Sequence, residues 1–562
     1  MQTDVLVIGG GTAGAIMAAR LSENSLCRVV LLEAGRDVGI PEPDDVRDPF
    51  PAATLNEEYF WSGLTARMRD DAVPAPYPQA RVMGGGSSIN GMFAMRGTPS
   101  DYARWAESGA EGLSWEEVVP YFRKIENDRE RQDRPAGPHP ISRIPKEQWP
   151  PFARAMEQAA ERSGLPYLVD INEQPGDGFF AIPNAIDDAA RVTSASCYLT
   201  AEVRARSNLQ ILGDTHVTRL CMSGTEVTGI EAVREGTIIN VHARRIIVSA
   251  GAIYSPALLL RSGIGPGDEL SAIGIEPVLE RAGVGRNLQN HPYMFFALTL
   301  PRGKRIANHL RRWAFAGLKS SSNRPGTPPS DLFNFVIGRV SGQSYGPSFA
   351  LVGSALYSPK SRGTVTLNPD DPQGNPNINF RFMSDPDDPP RMIQAARCAE
   401  QMLRDPGVSA EYNEAFLLPG ALAVKQFNRP GLAGKFLALA AEAAASAPTP
   451  IRRAIFSRAF KSGAPAAFHG GGRTVSDQQI LSSISPMGHP VGTCAMGRAD
   501  DPMAVVDESF RVYGTTNLYV VDASVMPSIP GANTNLPTMM LAELAAERIS
   551  ASFEREDSSN DR

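Results

Sequence analysis

The sequence lacks the features of a membrane-spanning, exported or disulfide-bonded protein. No uninterrupted apolar run approaches the roughly 18–20 residues that cross a bilayer. The N-terminus has neither a basic region nor a small-residue cleavage site, so we expect no export signal. The five cysteines are scattered, with no Cys-x-x-Cys pair, which argues against a disulfide framework and a zinc site. We therefore expect reduced thiols and a cytoplasmic location.

Positive charge is not in excess either. Lys and Arg number 55 against 61 Asp and Glu, giving a formal net charge of -6. A basic surface for nucleic acid is therefore not expected, and we predict no nucleic-acid partner. The seven histidines show no metal-ligand spacing, so no metal site is predicted. Apolar residues at 42% and charged residues at 21% are typical of a globular protein.

The first 33 residues carry the strongest local pattern. An apolar run at 4–8 leads directly into Gly-Gly-Gly-Thr-Ala-Gly at 9–14, and good helix formers follow at 15–21. A second apolar run at 28–32 ends in Glu33. Strand, glycine turn, helix and strand within about 30 residues form a βαβ unit, which predicts a dinucleotide-binding α/β fold.

The glycine spacing predicts what this turn binds. Gly9, Gly11 and Gly14 form G-x-G-x-x-G, which lets the backbone approach a pyrophosphate at the start of a helix. Glu33 lies 19 residues beyond Gly14, where an acidic side chain receives ribose hydroxyls and repels a 2′-phosphate. The alternative is a turn that binds nothing. The motif does not distinguish NAD from FAD, because both share the ADP half.

Composition and periodicity divide the rest of the chain. A charged, Pro-rich stretch at 124–149 precedes helical spacing at 151–164, and several strand-like runs between 331 and 382 suit an antiparallel sheet. The predicted architecture is a doubly wound, Rossmann-like α/β domain and an α+β substrate domain built on an antiparallel sheet. We assign 1–150, 205–300 and 482–555 to the nucleotide-binding domain, 151–204 and 301–481 to the substrate domain, and 556–562 to a disordered tail.

The segment 420–475 is Ala-rich and basic. Arginines and a lysine alternate with Ile and Phe around 450–461. One interpretation is an amphipathic lid or a helix that makes peripheral contact with a membrane. The simpler interpretation is a surface helix pair of the substrate domain, because solvated cationic faces are common.

Four separated segments resemble the glucose-methanol-choline (GMC) oxidoreductases, FAD enzymes that act mostly on alcohols. They are the N-terminal βαβ unit, the Gly-rich stretch 81–97, the stretch 251–265 and the C-terminal block 489–537. Their order and their spread along the chain make the resemblance specific. It implies FAD as the cofactor and an alcohol as the substrate.

The resemblance also implies which residues contact the flavin. Val217 and Trp61 match positions near the adenine, and Asp522 and Ala523 match positions near the phosphate and ribityl chain. Ile89 stands where some members carry the histidine that bonds covalently to the flavin, so we expect non-covalent FAD. The predicted cofactor-binding residues are Gly9, Gly11, Thr12, Ala13, Gly14, Glu33, Ala34, Trp61, Gly84, Gly85, Ser88, Asn90, Gly91, Met92, Val217, Ala250, Gly251, Asp522, Ala523, Thr534 and Asn535.

His489 and Asn533 match the family's two catalytic positions. A neutral imidazole can take the alcohol proton, and an amide can hydrogen-bond the oxygen as it becomes alkoxide-like. Asn535 matches a position near the pyrimidine edge of the flavin, although a helix N-cap is an equal alternative. Cys494 lies near His489 in sequence, and we interpret it as a packed small residue rather than a nucleophile.

The sequence leaves alternatives open for the electron acceptor and for the class of reaction. Within the family, 137–144 and 532–543 look most like bacterial 5-hydroxymethylfurfural oxidases and pyridoxine oxidases, which suggests aromatic or heteroaromatic primary alcohols and oxygen. A dehydrogenase that uses a quinone or cytochrome is one alternative, and a non-redox lyase or photodecarboxylase is another. A hydrolase is disfavoured, because Gly-x-Ser-x-Gly at 342–346 is followed by proline and a strand-like run instead of a helix.

Overall fold

The computed structural model describes residues 1–131, 133, 136–418, 428, 431–459 and 474–560. Two large sheets organise this part of the chain. The first has a parallel core in which Gln2–Ile8 pairs with Val29–Leu32 and with Thr237–Val248. Its strands run, in spatial order, Leu209–Leu212, Val29–Leu32, Gln2–Ile8, Thr237–Val248, Glu226–Arg234 and Thr215–Ser223, with Leu518–Val520 also paired to Thr237–Val248.

Helices cover this sheet, which explains why the paired stretches 5–8, 29–32 and 246–248 of its parallel strands are buried and apolar without interruption. The glycine turn leads into the helix Thr12–Leu21, and the second covering helix is Gly251–Arg261. The C-terminal helix Asn535–Asn560 packs against Thr12–Leu21. Further helices are Pro99–Glu107 and Trp115–Ile125. The predicted βαβ unit and the doubly wound domain are both present.

The second sheet is mainly antiparallel. Seven of its strands run, in spatial order, Glu414–Leu417, Pro292–Thr299, Phe349–Leu356, Leu332–Ile337, Ala314–Ser320, Gly178–Ala181 and Tyr167–Leu168, and Ser485–Pro486 pairs with Pro292–Thr299. Helices Pro151–Arg162 and Asp388–Arg404 lie on one face. The α+β substrate domain therefore follows the predicted class.

Alternate residues of these strands face two different cores. Phe296 and Leu298 belong to the cluster that includes the helices, whereas Phe295 and Ala297 belong to a second, aromatic cluster. A strand exposes successive side chains to opposite faces, so both faces of this sheet are buried. The second cluster forms the wall that faces the first domain.

The structure places two boundaries differently from the sequence prediction. Pro292–Thr299 belongs to the second sheet, so the second segment of the substrate domain includes residues 292–299 instead of starting at 301. The pairing partners of this strand lie at least 50 residues away along the chain, beyond the reach of local periodicity. The C-terminal helix continues to Asn560 instead of ending in a disordered tail from 556, because 549–560 contains no glycine or proline to end it. Residues 561–562 lie outside the described residues.

The segment 420–475 is described only in part. It contains the helices Gly431–Ser446 and Thr449–Ala459, and the remainder other than 428, 447–448 and 474–475 lies outside the described residues. Arg452 is not part of a free cationic face, because its guanidinium binds the buried carboxylate of Glu414 at 2.6 and 2.8 Å. Among the described helices, none is long and apolar enough to cross a membrane.

Substitution of Arg391 tests how much its buried ion pairs stabilise the substrate domain. Its guanidinium lies 3.1 Å from Asp331 and 2.8 Å from Asp388, and all three side chains are fully buried. We expect Arg391→Met to lower the free energy of unfolding by about 3–5 kcal/mol, because two buried carboxylates lose their counter-charge. Thermal and denaturant unfolding measure the change.

The matched control is Arg381→Met, which removes an exposed ion pair with Asp70. Its expected cost is below about 1 kcal/mol, because water screens both charges. Equal losses in the two variants would contradict the assigned importance of the buried pair.

Candidate active site

A cleft lies between the two sheets and receives residues from both. Most of the predicted site residues line it, whereas Gly14, Gly84 and Ser88 lie behind its surface. The predicted residues that line the cleft are Gly9, Gly11, Thr12, Ala13, Glu33, Ala34, Trp61, Gly85, Asn90, Gly91, Met92, Val217, Ala250, Gly251, His489, Asp522, Ala523, Asn533, Thr534 and Asn535.

The glycines of the first turn have different physical roles. A Cβ on Gly14 would lie 1.8 Å from the carbonyl oxygen of Gly9, so this position needs glycine for packing alone. A Cβ on Gly11 would meet nothing closer than the Cα of Gly85 at 3.8 Å. Gly11 is therefore not required by the protein's own packing, and its open space faces the cleft.

Glu33 fixes the shape of this turn. One carboxylate oxygen accepts the Gly10 amide and the other accepts the Gly35 amide, both at 2.8 Å. Burial raises the pKa of Glu33 to about 7, opposed by these two hydrogen bonds. Sequence spacing predicted ribose binding by Glu33, and the structure adds that its carboxylate holds two loops together at the edge of the cleft.

Aromatic and cationic side chains cluster at the same end of the cleft. Trp61 stacks on Tyr254 with ring centroids 4.0 Å apart, and His216 meets its edge at 5.1 Å. The Arg81 guanidinium lies 4.9 Å from the Trp61 ring centroid. This flat surface, next to Glu33 and Val217, is of the kind on which a nucleobase stacks. Tyr254 and His216 were not among the predicted site residues.

The second glycine-rich loop bends sharply into the cleft. Gly84 and Gly85 have φ of 84° and 54°, a conformation that favours glycine. The Ser88 hydroxyl donates to the Met83 carbonyl at 2.8 Å, so Ser88 stabilises the loop from behind. Arg191 donates to the Asn90 carbonyl at 2.7 Å and to its side-chain oxygen at 2.9 Å.

The C-terminal block is hydrogen-bonded to the nucleotide-binding domain. The buried Asp522 carboxylate accepts the Gly251 amide at 2.8 Å and the Ser255 hydroxyl at 2.5 Å. Asn535 is the first residue of the C-terminal helix, and its side-chain oxygen accepts the Thr12 hydroxyl at 2.9 Å. The side chain of Asn535 thus links this helix to the glycine turn.

His489 and Asn533 meet at the opposite end of the cleft. His489 Nε2 lies 3.1 Å from the Asn533 side-chain nitrogen, and the Asn533 oxygen accepts the Tyr357 hydroxyl at 3.0 Å. His489 Nδ1 lies 3.0 Å from His291 Nδ1. Burial lowers the pKa of His489 to about 3, so its imidazole is neutral at pH 7.

Apolar side chains line the same cleft as this pair. They come from the loop after the second glycine-rich stretch, from the second sheet and from the segment before His489. The residues are Phe93, Tyr293, Trp313, Phe335 and Met487. Trp313 packs against the Gly91 backbone so closely that a Cβ there would lie 2.4 Å from its ring. The cleft that contains His489 therefore also has aromatic lining.

The sequence did not predict the residues that hydrogen-bond the predicted catalytic pair, His489 and Asn533. His291 and Tyr357 lie 198 and 132 residues before His489, and only the tertiary fold brings them to it. The sequence contains one signal for His291, because both His291 and His489 directly precede a proline. In the structure, the two segments pair at Pro292 and Pro486. That signal is weak, because His139 also precedes proline.

Other candidate chemistry is absent or placed elsewhere. Ser344 of the Gly-x-Ser-x-Gly match is exposed and is followed by a short 3₁₀ turn at Gly346–Ser348 and a strand, without the helix of a nucleophile elbow. Cys494 is fully buried, and burial raises the pKa of its thiol. Among the described residues, no group of three or more His, Cys, Asp or Glu could hold a metal ion.

The cleft fits FAD on structural grounds. The open space at Gly11, the backbone amides of the two glycine loops and the aromatic surface at Trp61 lie along one cleft that ends at His489. Ser249 also lines it, with a buried hydroxyl that has no hydrogen-bond partner among the described residues. Backbone amides and a hydroxyl are hydrogen-bond donors of the types that bind a pyrophosphate.

Comparison with known proteins identifies the family. The N-terminal GMC oxidoreductase model matches residues 3–293, and the C-terminal model matches residues 359–542. The chain belongs to the GMC oxidoreductases. It is an FAD-dependent alcohol oxidoreductase, as the resemblance implied.

Several relatives of this GMC oxidoreductase match over nearly their whole length. A 5-(hydroxymethyl)furfural oxidase of Methylovorus sp. (strain MP688) is 36% identical, over 97% of this chain and 98% of the relative. An oxygen-dependent choline dehydrogenase of Sinorhizobium fredii is 30% identical over 98% and 96%. The crystal structure of pyridoxine 4-oxidase from Mesorbium loti superimposes with a TM-score of 0.78 at 28% identity, over 97% and 99%.

Gly11→Val tests the placement of FAD in this GMC oxidoreductase. We expect the purified variant to fold normally but to lack the visible flavin bands, because a Cβ at this position meets no protein atom closer than 3.8 Å and projects into the cleft where the pyrophosphate is expected. Far-ultraviolet circular dichroism checks the fold, and the absorption spectrum checks the flavin. Gly303→Val, at an exposed glycine with open space outside the cleft, is the control and should stay yellow. A fully flavinated Gly11→Val protein would contradict the placement.

Proposed function

We propose that this GMC oxidoreductase oxidises an uncharged aromatic or heteroaromatic primary alcohol to the aldehyde, with oxygen as electron acceptor and hydrogen peroxide as second product. The observation that carries the proposal is the pair formed by His489 Nε2 and the Asn533 amide, 3.1 Å apart, in a cleft with aromatic lining. The FAD is bound non-covalently, because Ile89 lines the cleft without a nucleophilic atom.

The chemistry divides between the two side chains. When the alcohol oxygen binds between the two groups, it takes the Asn533 N–H in place of Nε2, and neutral His489 then accepts the hydroxyl proton at Nε2. The Asn533 side-chain N–H donates to the same oxygen, which stabilises the negative charge that develops there without adding a charge of its own. Bound FAD supplies the hydride acceptor for the carbon. Loss of one proton and one hydride from the CH–OH group gives the aldehyde.

The lining of the catalytic end supports an uncharged, flat substrate. Phe93, Trp313 and Phe335 offer apolar and aromatic surface, which favours stacking with an aromatic ring. The acidic residues of the described lining, Glu33 and Asp522, contact the glycine turn and Gly251 instead. No described side chain at the catalytic end therefore offers a counter-charge to a quaternary ammonium such as choline.

The relatives support the same substrate class and acceptor. The 36% identical protein is named for oxidation of a heteroaromatic alcohol, 5-(hydroxymethyl)furfural, and the structural relative is named for oxidation of pyridoxine. Both are named as oxidases. This favours oxygen over a quinone or cytochrome.

His489→Ala tests the catalytic assignment. We expect the variant to keep FAD and to lose about two to four decades of flavin-reduction rate, the range for loss of a general base. The rate is measured as bleaching of the flavin bands without oxygen after mixing with a benzylic alcohol. His309→Ala, an exposed histidine outside the cleft, is the control and should match the unmodified enzyme. A near-normal rate in His489→Ala would remove His489 from the mechanism.

A further inference from the structure

His489 belongs to a closed ring of four hydrogen bonds. Tyr357 contributes its hydroxyl to Asn533 and its backbone carbonyl to His291, which lies 3.2 Å away at Nε2. Asn533 contacts His489 Nε2, and His489 Nδ1 contacts His291 Nδ1. The ring thus begins and ends at the same residue.

The backbone carbonyl of Tyr357 can only accept a hydrogen bond in this ring. A backbone carbonyl accepts hydrogen bonds and never donates, so the atom facing the Tyr357 carbonyl, His291 Nε2, must carry a proton. His291 is fully buried, and burial, together with the electrostatic effects of His489 and Lys319, lowers its pKa well below the usual range, against the opposing effect of the backbone carbonyls of Tyr357 and Pro530. A neutral imidazole with a proton on Nε2 presents a lone pair at Nδ1.

The direction of every other hydrogen bond follows from this carbonyl. Because His291 Nδ1 accepts, the Nδ1 atom of neutral His489 must donate and therefore carries the proton. His489 Nε2 is then an acceptor, which receives the Asn533 side-chain N–H. The Asn533 oxygen remains as acceptor for the Tyr357 hydroxyl. The reverse direction would place two acceptors, His291 Nε2 and the Tyr357 carbonyl, against each other.

We infer that His291 is a positioning residue that holds His489 in the Nδ1–H tautomer, so that Nε2 carries no proton and can act as a base once the alcohol oxygen takes over the Asn533 N–H. This inference rests on the proposed function, because it specifies the tautomer that His489 needs there. The Tyr357 carbonyl determines that the proton of His291 is on Nε2. His291 Nδ1 is therefore an acceptor, and this determines that the proton of His489 is on Nδ1. His291 touches neither substrate nor flavin in this role.

Nitrogen NMR of the full-length, flavin-loaded protein labelled with ¹⁵N-histidine tests the tautomer directly. The couplings between ring nitrogens and carbon-bound protons distinguish Nδ1–H from Nε2–H, and the signals of His489 are those absent from His489→Ala. We expect the Nδ1–H pattern in the unmodified protein. An Nε2–H pattern or a charged imidazole there would overturn the inference without any variant.

Two substitutions at 291 isolate its role. His291→Phe fills the space but offers no acceptor, so the Nδ1–H of His489 loses its partner. Nε2–H signals of His489 should then appear. His291→Asn restores an acceptor oxygen near the position of Nδ1, and the Nδ1–H pattern should return. An unchanged Nδ1–H pattern in His291→Phe would contradict the inference, as would loss of that pattern in His291→Asn.

Anaerobic flavin reduction provides a second readout. We expect His291→Phe to lower the limiting rate about ten- to a hundredfold, the effect of one lost buried hydrogen bond, while the substrate concentration for half-saturation stays near that of the unmodified enzyme. His291→Asn should recover most of the rate. An equal fall in both variants, or a change in half-saturation alone, would contradict a tautomer effect. A normal rate in His489→Ala would instead contradict the proposed function and leave the NMR result to decide the tautomer.

Discussion

The segment from Asp522 to Asn535 holds the two domains in the relation that the chemistry requires. Asp522 accepts the Gly251 amide of the nucleotide-binding domain, and Asn535 accepts the Thr12 hydroxyl of the glycine turn. Between them, the Gly531 carbonyl accepts the ammonium of Lys319 from the second sheet, and the Asn533 side-chain oxygen accepts the hydroxyl of Tyr357, which directly follows a strand of that sheet. The cofactor end and the catalytic end of the cleft are thereby fixed by one short stretch of chain.

Burial explains why this arrangement can be both rigid and reactive. Removing His489 and His291 from water keeps both imidazoles neutral, and each neutral ring has one donor and one acceptor. In a dry site, hydrogen bonds must pair donor with acceptor, because an unmatched group costs about 1–3 kcal/mol. A single carbonyl, that of Tyr357, is then enough to set the proton positions in the whole ring.

The sequence predicted those parts of the fold and site that depend on local pattern. The βαβ unit and the glycine turn follow from the spacing of Gly9, Gly11 and Gly14, and His489 and Asn533 stand in one C-terminal block. The sequence did not predict His291 or Tyr357, because each reaches His489 or Asn533 only through pairing of distant strands. For the same reason, Pro292–Thr299 was assigned to the wrong domain.

The most direct test of the account is the visible spectrum of the purified protein as 5-hydroxymethylfurfural or a benzylic alcohol is added without oxygen, and again after air is admitted. The account predicts flavin bands that bleach with the alcohol, do not bleach with choline, and return rapidly in air with formation of hydrogen peroxide. Bands that stay unbleached across a panel of aromatic alcohols would contradict alcohol oxidation at His489. Bleaching followed by slow recovery in air would contradict oxygen as the acceptor.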